Sequence, residues 1–247
     1  MKDDVPPSRD PDLAAPGALA RYPLLGFGVA LIAMLVFAFL AWDVISRAPL
    51  TLEDALIVRA IHLRAVQGPP LIVLAMRISG FLGEYMIVIL SLILGIFWLR
   101  RRAWRPISLL VVGVVGGELL FQVLSLSIGR QRPQFPDPLE VLTVPGFPSG
   151  HTLTSVVLYG LLVYLFVPRL ASRVWRAVTI LLGVLLIVWI AAGRVYLGSH
   201  YPTDVVAGAA AGLAWGGCAY TTIELAWQRR RDRSQAARRP GSRPTTS

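Results

Sequence analysis

Acidic residues are scarce in this chain. Only 14 of its 247 residues are Asp or Glu, and charged residues of every kind make up 15% against 55% hydrophobic. That balance excludes an ordinary soluble domain. Lysine is nearly missing: of 24 cationic Lys and Arg residues, Lys2 is the one lysine. A single cysteine, Cys218, lies within an apolar run, which excludes an intramolecular disulfide and any metal site of spaced cysteines. Histidine is limited to His62, His151 and His200. The last two share their surroundings with arginines, whose charge would repel a divalent cation, so neither metal nor cofactor is expected. No period of 20 to 50 residues marks a repeat array.

Long apolar runs dominate instead. Stretches at 24–45, 82–99, 106–128, 149–167, 175–193 and 203–227 are long enough to cross a hydrocarbon layer of about 30 Å as helix. The expected fold is all-α, a six-transmembrane helix bundle. The first run is long, has acidic residues upstream and lacks a small-residue cleavage site, so it reads as a retained anchor rather than a signal peptide. Between spans one and two, Thr51-Leu52-Glu53-Asp54 resembles a helix start, and Gly68-Pro69-Pro70 breaks that helix. Two short interfacial helices on the outer side are expected there. Residues 1–22 and 229–247 read as disordered cytoplasmic tails flanking one membrane domain at 23–228. Gly113 and Gly117, and Gly208, Gly212 and Gly216, are spaced for close helix packing.

The formal charge of +10 does not point to nucleic acid. Its arginines fill alternate loops: Arg100, Arg101, Arg102 and Arg105 after span two, Arg169, Arg173 and Arg176 after span four, and Arg229 onward in the tail. Positive residues mark the cytoplasmic side, so both termini are expected inside a cell membrane, with the basic tail near anionic lipid. The same assignment puts residues 46–81, 129–148 and 194–202 outside.

The clusters that combine histidine, arginine, hydroxyl and carboxylate groups fall in or beside those outer loops. Pro148-Ser149-Gly150-His151 stands where a loop enters span four, and the unpaired amides of a helix N-terminus attract anions. Ser149 is placed to cap or to donate its hydroxyl, and Gly150 to let backbone approach a phosphate oxygen. A capping serine beside an interfacial histidine would explain that tetrapeptide alone. The second cluster resists such a reading. Arg194, His200 and Asp204 gather three ionisable groups at the bilayer edge, where burying charge is costly. Asp204, four residues after His200, is placed to accept from one imidazole nitrogen and free the other as a nucleophile. His62 stands alone and reads as a surface residue; Glu118, in mid-span, reads as a structural hydrogen-bond partner. Guanidinium, imidazole, hydroxyl and carboxylate groups at a membrane surface suit phosphoryl transfer, which calls mainly for positioning and charge stabilisation.

The run Arg132-Pro133, then Pro148-Ser149-Gly150-His151, then Arg194 with His200 and Asp204, resembles the three-part signature of the type 2 phosphatidic acid phosphatase superfamily. The resemblance covers roughly residues 24–227. It implies a metal-independent lipid phosphatase acting on a lipid monophosphate or diphosphate at the outer leaflet. By resemblance, His200 is the nucleophile, Asp204 its orienter and His151 the general acid, while Arg132, Arg194, Ser149 and Gly150 hold the phosphoryl group. Two positions depart from the pattern: Ser125 stands where the family carries lysine, and Gly193 where it carries serine. Arg130 is the candidate to supply the missing cation. The expected partners are a lipid phosphate and the bilayer, with no nucleic acid, and the sequence is compatible with a monomer or a homo-oligomer. A lipid phosphotransferase using the same site, a catalytically silent lipid-binding relative and a haloperoxidase are the alternatives.

Overall fold

The computed structural model describes residues 18–238. Among them are nine α-helices and no strand: α1 (Ala18–Arg21), α2 (Pro23–Ser46), α3 (Pro49–Val66), α4 (Pro70–Gly83), α5 (Tyr85–Arg100), α6 (Trp104–Ile128), α7 (Gly150–Phe166), α8 (Arg173–Tyr196) and α9 (Pro202–Arg238). Proline opens α2, α3 and α4, where a missing N–H costs no helical bond. Gly129, at φ 64°, closes α6 by donating its N–H to Ser125 O at 2.9 Å.

Five helical stretches are long and apolar enough to cross a membrane: Pro23–Ser46, Pro70–Arg100, Trp104–Ile128, Gly150–Arg169 and Arg173–Tyr196. Side chains such as Leu24, Ile32, Leu92, Leu126 and Leu182 point outward from them. The expected sixth span, in α9, is not among the five. Its apolar content is mostly alanine and glycine, which carry little hydrophobic surface per residue but allow close packing. A Cβ on Gly208 would lie 2.5 Å from Ser149 O, and one on Gly212 2.7 Å from Leu153 O. The small-residue stripe thus presses α9 against α7. Helix α9 also packs against α2 and α6 and so runs through the centre of the bundle.

The two helices expected between Ser46 and Gly80 are both present as α3 and α4. Helix α3 is separate, but α4 runs on into α5 after the single residue Glu84, giving one 31-residue apolar stretch. Glycine brings the end of α4 close to α8. A Cβ on Gly80 would lie 2.2 Å from an Arg194 nitrogen, and one on Gly83 2.7 Å from Ile190, so α4 seats directly on α8. The tail boundary moves too, because α9 continues unbroken to Arg238, past residue 229. Arginine, glutamine and alanine are good helix formers and extend the helix beyond the bundle. The remainder of the expected tails, residues 1–17 and 239–247, lies outside the described residues.

The main core is built from Leu109, Leu110, Phe121, Leu153, Val157, Leu158 and Leu161 on α6 and α7. A second cluster sets the site. Phe147, fully buried in the loop before α7, packs with Leu40, Ala41 and Val44 of α2 and Ala207 of α9. Burying one such ring contributes roughly 1.5 to 3 kcal/mol, and it fixes the Pro148-Ser149-Gly150-His151 turn over the N-terminus of α9.

Candidate active site

His200 sits in the tight turn between α8 and α9. Gly198 adopts φ +74° there, a left-handed conformation that an L side chain resists. The N–H groups of Ser199 and His200 both donate to Arg194 O, at 3.0 and 3.2 Å, folding the turn back on the last turn of α8. The imidazole is fully buried. Its Nδ1 lies 2.8 Å from Gly146 O and its Nε2 2.8 Å from Nη1 of Arg132. A carbonyl only accepts and a guanidinium only donates, so Nδ1 carries the proton and Nε2 presents a lone pair. Burial pushes the imidazole down to about 4; Asp204 opposes that shift, while Arg132 adds to it. Neutral His200 is therefore the resting form at neutral pH.

Asp204 is close to His200 Nδ1, at 3.5 Å, but the carbonyl of Gly146 makes the shorter contact. The Gly146 carbonyl and the Asp204 carboxylate thus both face Nδ1, the carbonyl at the shorter distance. One carboxylate oxygen of Asp204 accepts from Tyr201 N at 2.9 Å and the other from Arg130 Nη1 at 2.6 Å. Arg130 also donates to Asp54 at 2.9 Å and stacks its guanidinium over Tyr201 at 4.2 Å. Asp54, from α3, accepts from Thr203 N at 3.1 Å and from the Thr203 hydroxyl. Arg130 is thus committed to two buried carboxylates rather than turned toward the pocket, against the expectation that it replaces the missing lysine. The Ser125 hydroxyl is buried and donates to Pro145 O at 3.3 Å, a loop contact.

Arg132 occupies the centre. Its Nε donates to Val144 O at 2.7 Å, Nη1 to Ser199 O at 2.8 Å and Nη2 to Pro145 O at 3.3 Å. These bonds tie the loop before α7 to the turn before α9, and Gly146 N, donating to Arg130 O at 2.8 Å, closes the loop. Burial lowers the affinity of Arg132 for its proton, and Asp204 and Glu140 oppose that. Arg194, fully buried, donates from the single nitrogen Nη1 to both oxygens of Glu140 at 2.8 Å, while its Nε has no partner among the described residues. Burial would raise the Glu140 carboxyl, but the Arg194 guanidinium and the Ser199 hydroxyl outweigh it and hold the group below its ordinary value.

The first-turn residues of α7 divide. Ser149 is buried and does not cap the helix; its N–H donates to Asp204 O at 2.9 Å and its hydroxyl accepts from Thr152 at 3.2 Å. Gly150 and His151 line a cavity of about 360 Å³ with Arg132, Glu84, Glu118 and Thr154. A Cβ on Gly150 would lie 3.0 Å from the Phe121 ring, so glycine here admits a core side chain. His151 pairs with Glu84 through Nε2 at 3.2 Å. Arg132 joins the two histidines, touching one and lining the same cavity as the other.

A model of the PAP2 superfamily matches residues 106–228. Over 164 residues, 64% of this chain and 83% of the relative, the chain is 32% identical to decaprenylphosphoryl-5-phosphoribose phosphatase of Mycobacterium tuberculosis. The chain belongs to the PAP2 superfamily. It is also 35% identical over 137 residues to phosphatidylglycerophosphatase B of Bacillus subtilis, where the match spans 55% of this chain and 64% of that protein's length. Among PAP2 structures, the fold is similar to the crystal structure of a transmembrane PAP2 type phosphatidylglycerolphosphate phosphatase from Bacillus subtilis, with TM-score 0.68, 25% identity and coverage of 81% and 96% of the two chains.

Several residues of this PAP2 site carry no signal in the sequence. Glu84, Glu140 and Gly146 partner signature side chains, and Asp54 partners Arg130, from 54 to 76 residues away or through a backbone carbonyl. His62, expected at the surface, is 4% exposed and stacks on Phe135 with ring centres 3.7 Å apart. Gly198 makes room for it, since a Cβ there would meet both rings. Among the described residues, no group of three or more His, Cys, Asp or Glu is arranged to hold a metal ion.

Proposed function

We propose that this protein is a membrane-embedded phosphatase that removes phosphate from a lipid through a phosphohistidine at His200. The observation that carries the reading is the buried, neutral imidazole whose Nδ1 proton is fixed on Gly146 O and whose Nε2 lone pair faces Arg132. In the first step Nε2 attacks phosphorus, the bond to the leaving oxygen breaks with its electron pair, and protonated His151 donates to that oxygen. Arg132 exchanges its bond to Nε2 for a phosphate oxygen, and Arg194 turns from Glu140 to the same group. In the second step neutral His151 takes a proton from water, the water oxygen attacks phosphorus, and the phosphorus–nitrogen bond breaks to restore His200. Positioned guanidinium groups supply the charge stabilisation, and a general acid adds about 10² to 10⁴ in rate. That relatives bear the names phosphatidylglycerophosphatase B and decaprenylphosphoryl-5-phosphoribose phosphatase supports a lipid phosphate as substrate.

In this reading α9 is a sixth span, both termini are cytoplasmic, and the site opens to the outer leaflet. The arginine distribution supports that orientation. The ion pair of Arg105 with buried Glu224, at 2.6 Å, then lies at the opposite, cytoplasmic end of the bundle. The test is phosphate release from a panel of lipid phosphates in chelator. Wild-type turnover that disappears in His200→Ala supports the reading; equal turnover in that variant removes it.

A further inference from the structure

We propose that Glu118 selects the leaving group, and that the preferred substrate is a phosphomonoester carrying a free hydroxyl beside its ester oxygen. The proposal rests on the phosphatase reading above. Glu118 lies on α6, ten residues before its end at Ile128, about 15 Å down the helix axis. A carboxylate at that depth in an apolar span is costly and marks function by default. Its side chain lines the cavity that also holds His151 and Arg132. Phe121, one turn above, lies against Gly150, so Glu118 is level with Thr154, one turn below the general acid. A leaving group protonated by His151 therefore shares one cavity with that carboxylate.

What the carboxylate accepts is decided by its bonding. Gln122 donates to one oxygen at 2.8 Å, and among the described residues the other oxygen accepts nothing. A hydroxyl would complete it. A second phosphate would meet the opposite situation. With Arg130 paired to Asp54 and Asp204, two guanidinium groups, Arg132 and Arg194, stand among three further carboxylates, Glu84, Glu118 and Glu140. The cations suffice for one phosphoryl group, and an anionic leaving group beside Glu118 would be repelled.

Lysophosphatidic acid, phosphatidic acid and farnesyl diphosphate separate these chemistries, because the first carries a free hydroxyl where the second carries an acyl ester, and the third carries a second phosphate; the Glu118 variants distinguish the hydroxyl from the extra chain. The wild type is expected to show kcat/KM about tenfold higher for lysophosphatidic acid than for either other substrate. Glu118→Leu should bring the ratio of the first two near one. Glu118→Gln, which keeps a hydrogen-bonding oxygen without the charge, should retain that ratio and raise the relative rate on the diphosphate several-fold. Ratios within one preparation are independent of the folded fraction. Ratios within twofold of one in the wild type, or unchanged in both variants, overturn the proposal and leave the phosphatase reading standing. No turnover of any substrate by the wild type overturns both.

Discussion

Removing Arg130 should destabilise the end of the bundle that holds the site more than removing any surface arginine. Its two terminal nitrogens neutralise Asp54 and Asp204 at 2.9 and 2.6 Å, and these carboxylates are 2% and 0% exposed. Arg130→Met leaves both charges buried without their cation. Breaking a buried pair in this way costs about 3 to 5 kcal/mol, which for a chain of this size corresponds to a fall in Tm on the order of 10 °C. The sign of the second change is more diagnostic. Asp54→Asn alone should cost less, about 1 to 3 kcal/mol, because Arg130 keeps Asp204. Added to Arg130→Met, it should recover part of the loss, since one of the two stranded charges disappears. Thermal unfolding in detergent micelles, followed by fluorescence-detected size exclusion, measures all four proteins. An Arg130→Met variant melting within about 2 °C of wild type, or a double variant less stable than both singles by their full sum, would refute the network.

The same geometry sets three further expectations. His200 lies outside the spans and its imidazole is held at about 4, below an unfolded value near 6.5. The stability this contributes is complete above about pH 6.5 and is lost as pH falls through 4; a melting temperature flat from pH 7 to 4 would contradict that. Arg132→Lys cannot reproduce a fork that reaches Val144, Ser199, Pro145 and His200. Its kcat should fall roughly 10² to 10³ fold, and a loss under fivefold in steady-state assays would argue that Arg132 only shapes the loop. Gly208→Ala should cost about 1 to 3 kcal/mol, because its Cβ would sit 2.5 Å from Ser149 O; a neutral melting shift would show that α7 and α9 separate easily.

Lengths of apolar runs make most of the helices legible, since crossing a bilayer demands a fixed number of residues. The second short segment, after Gly68-Pro69-Pro70, shows no local pattern for its contact with α8, whereas Gly80 and Gly83 of α4 fit against Arg194 and Ile190, a tertiary fact. The same limit explains the site. His200, His151 and Arg132 are readable because their residue types stand out in an apolar chain. Their partners are not: Asp54 lies 76 residues from Arg130, Glu140 lies 54 from Arg194, and Gly146 acts through a carbonyl that every residue possesses. Arg130 is the clearest case. Its position in sequence is near the missing cation at Ser125, but its direction is set by Asp54 and Asp204, which claim both of its terminal nitrogens.

The most direct test of the central claim is rapid-quench trapping of the purified protein with a radiolabelled lipid phosphate. The label should appear on protein within one turnover, be stable to alkali and labile to acid, and map to His200. It should be absent in His200→Ala and, with His151 as the proposed general acid, form slowly in His151→Ala. Turnover of the same lipid with no protein-bound phosphate, or label that persists in His200→Ala, would contradict a phosphohistidine at this position.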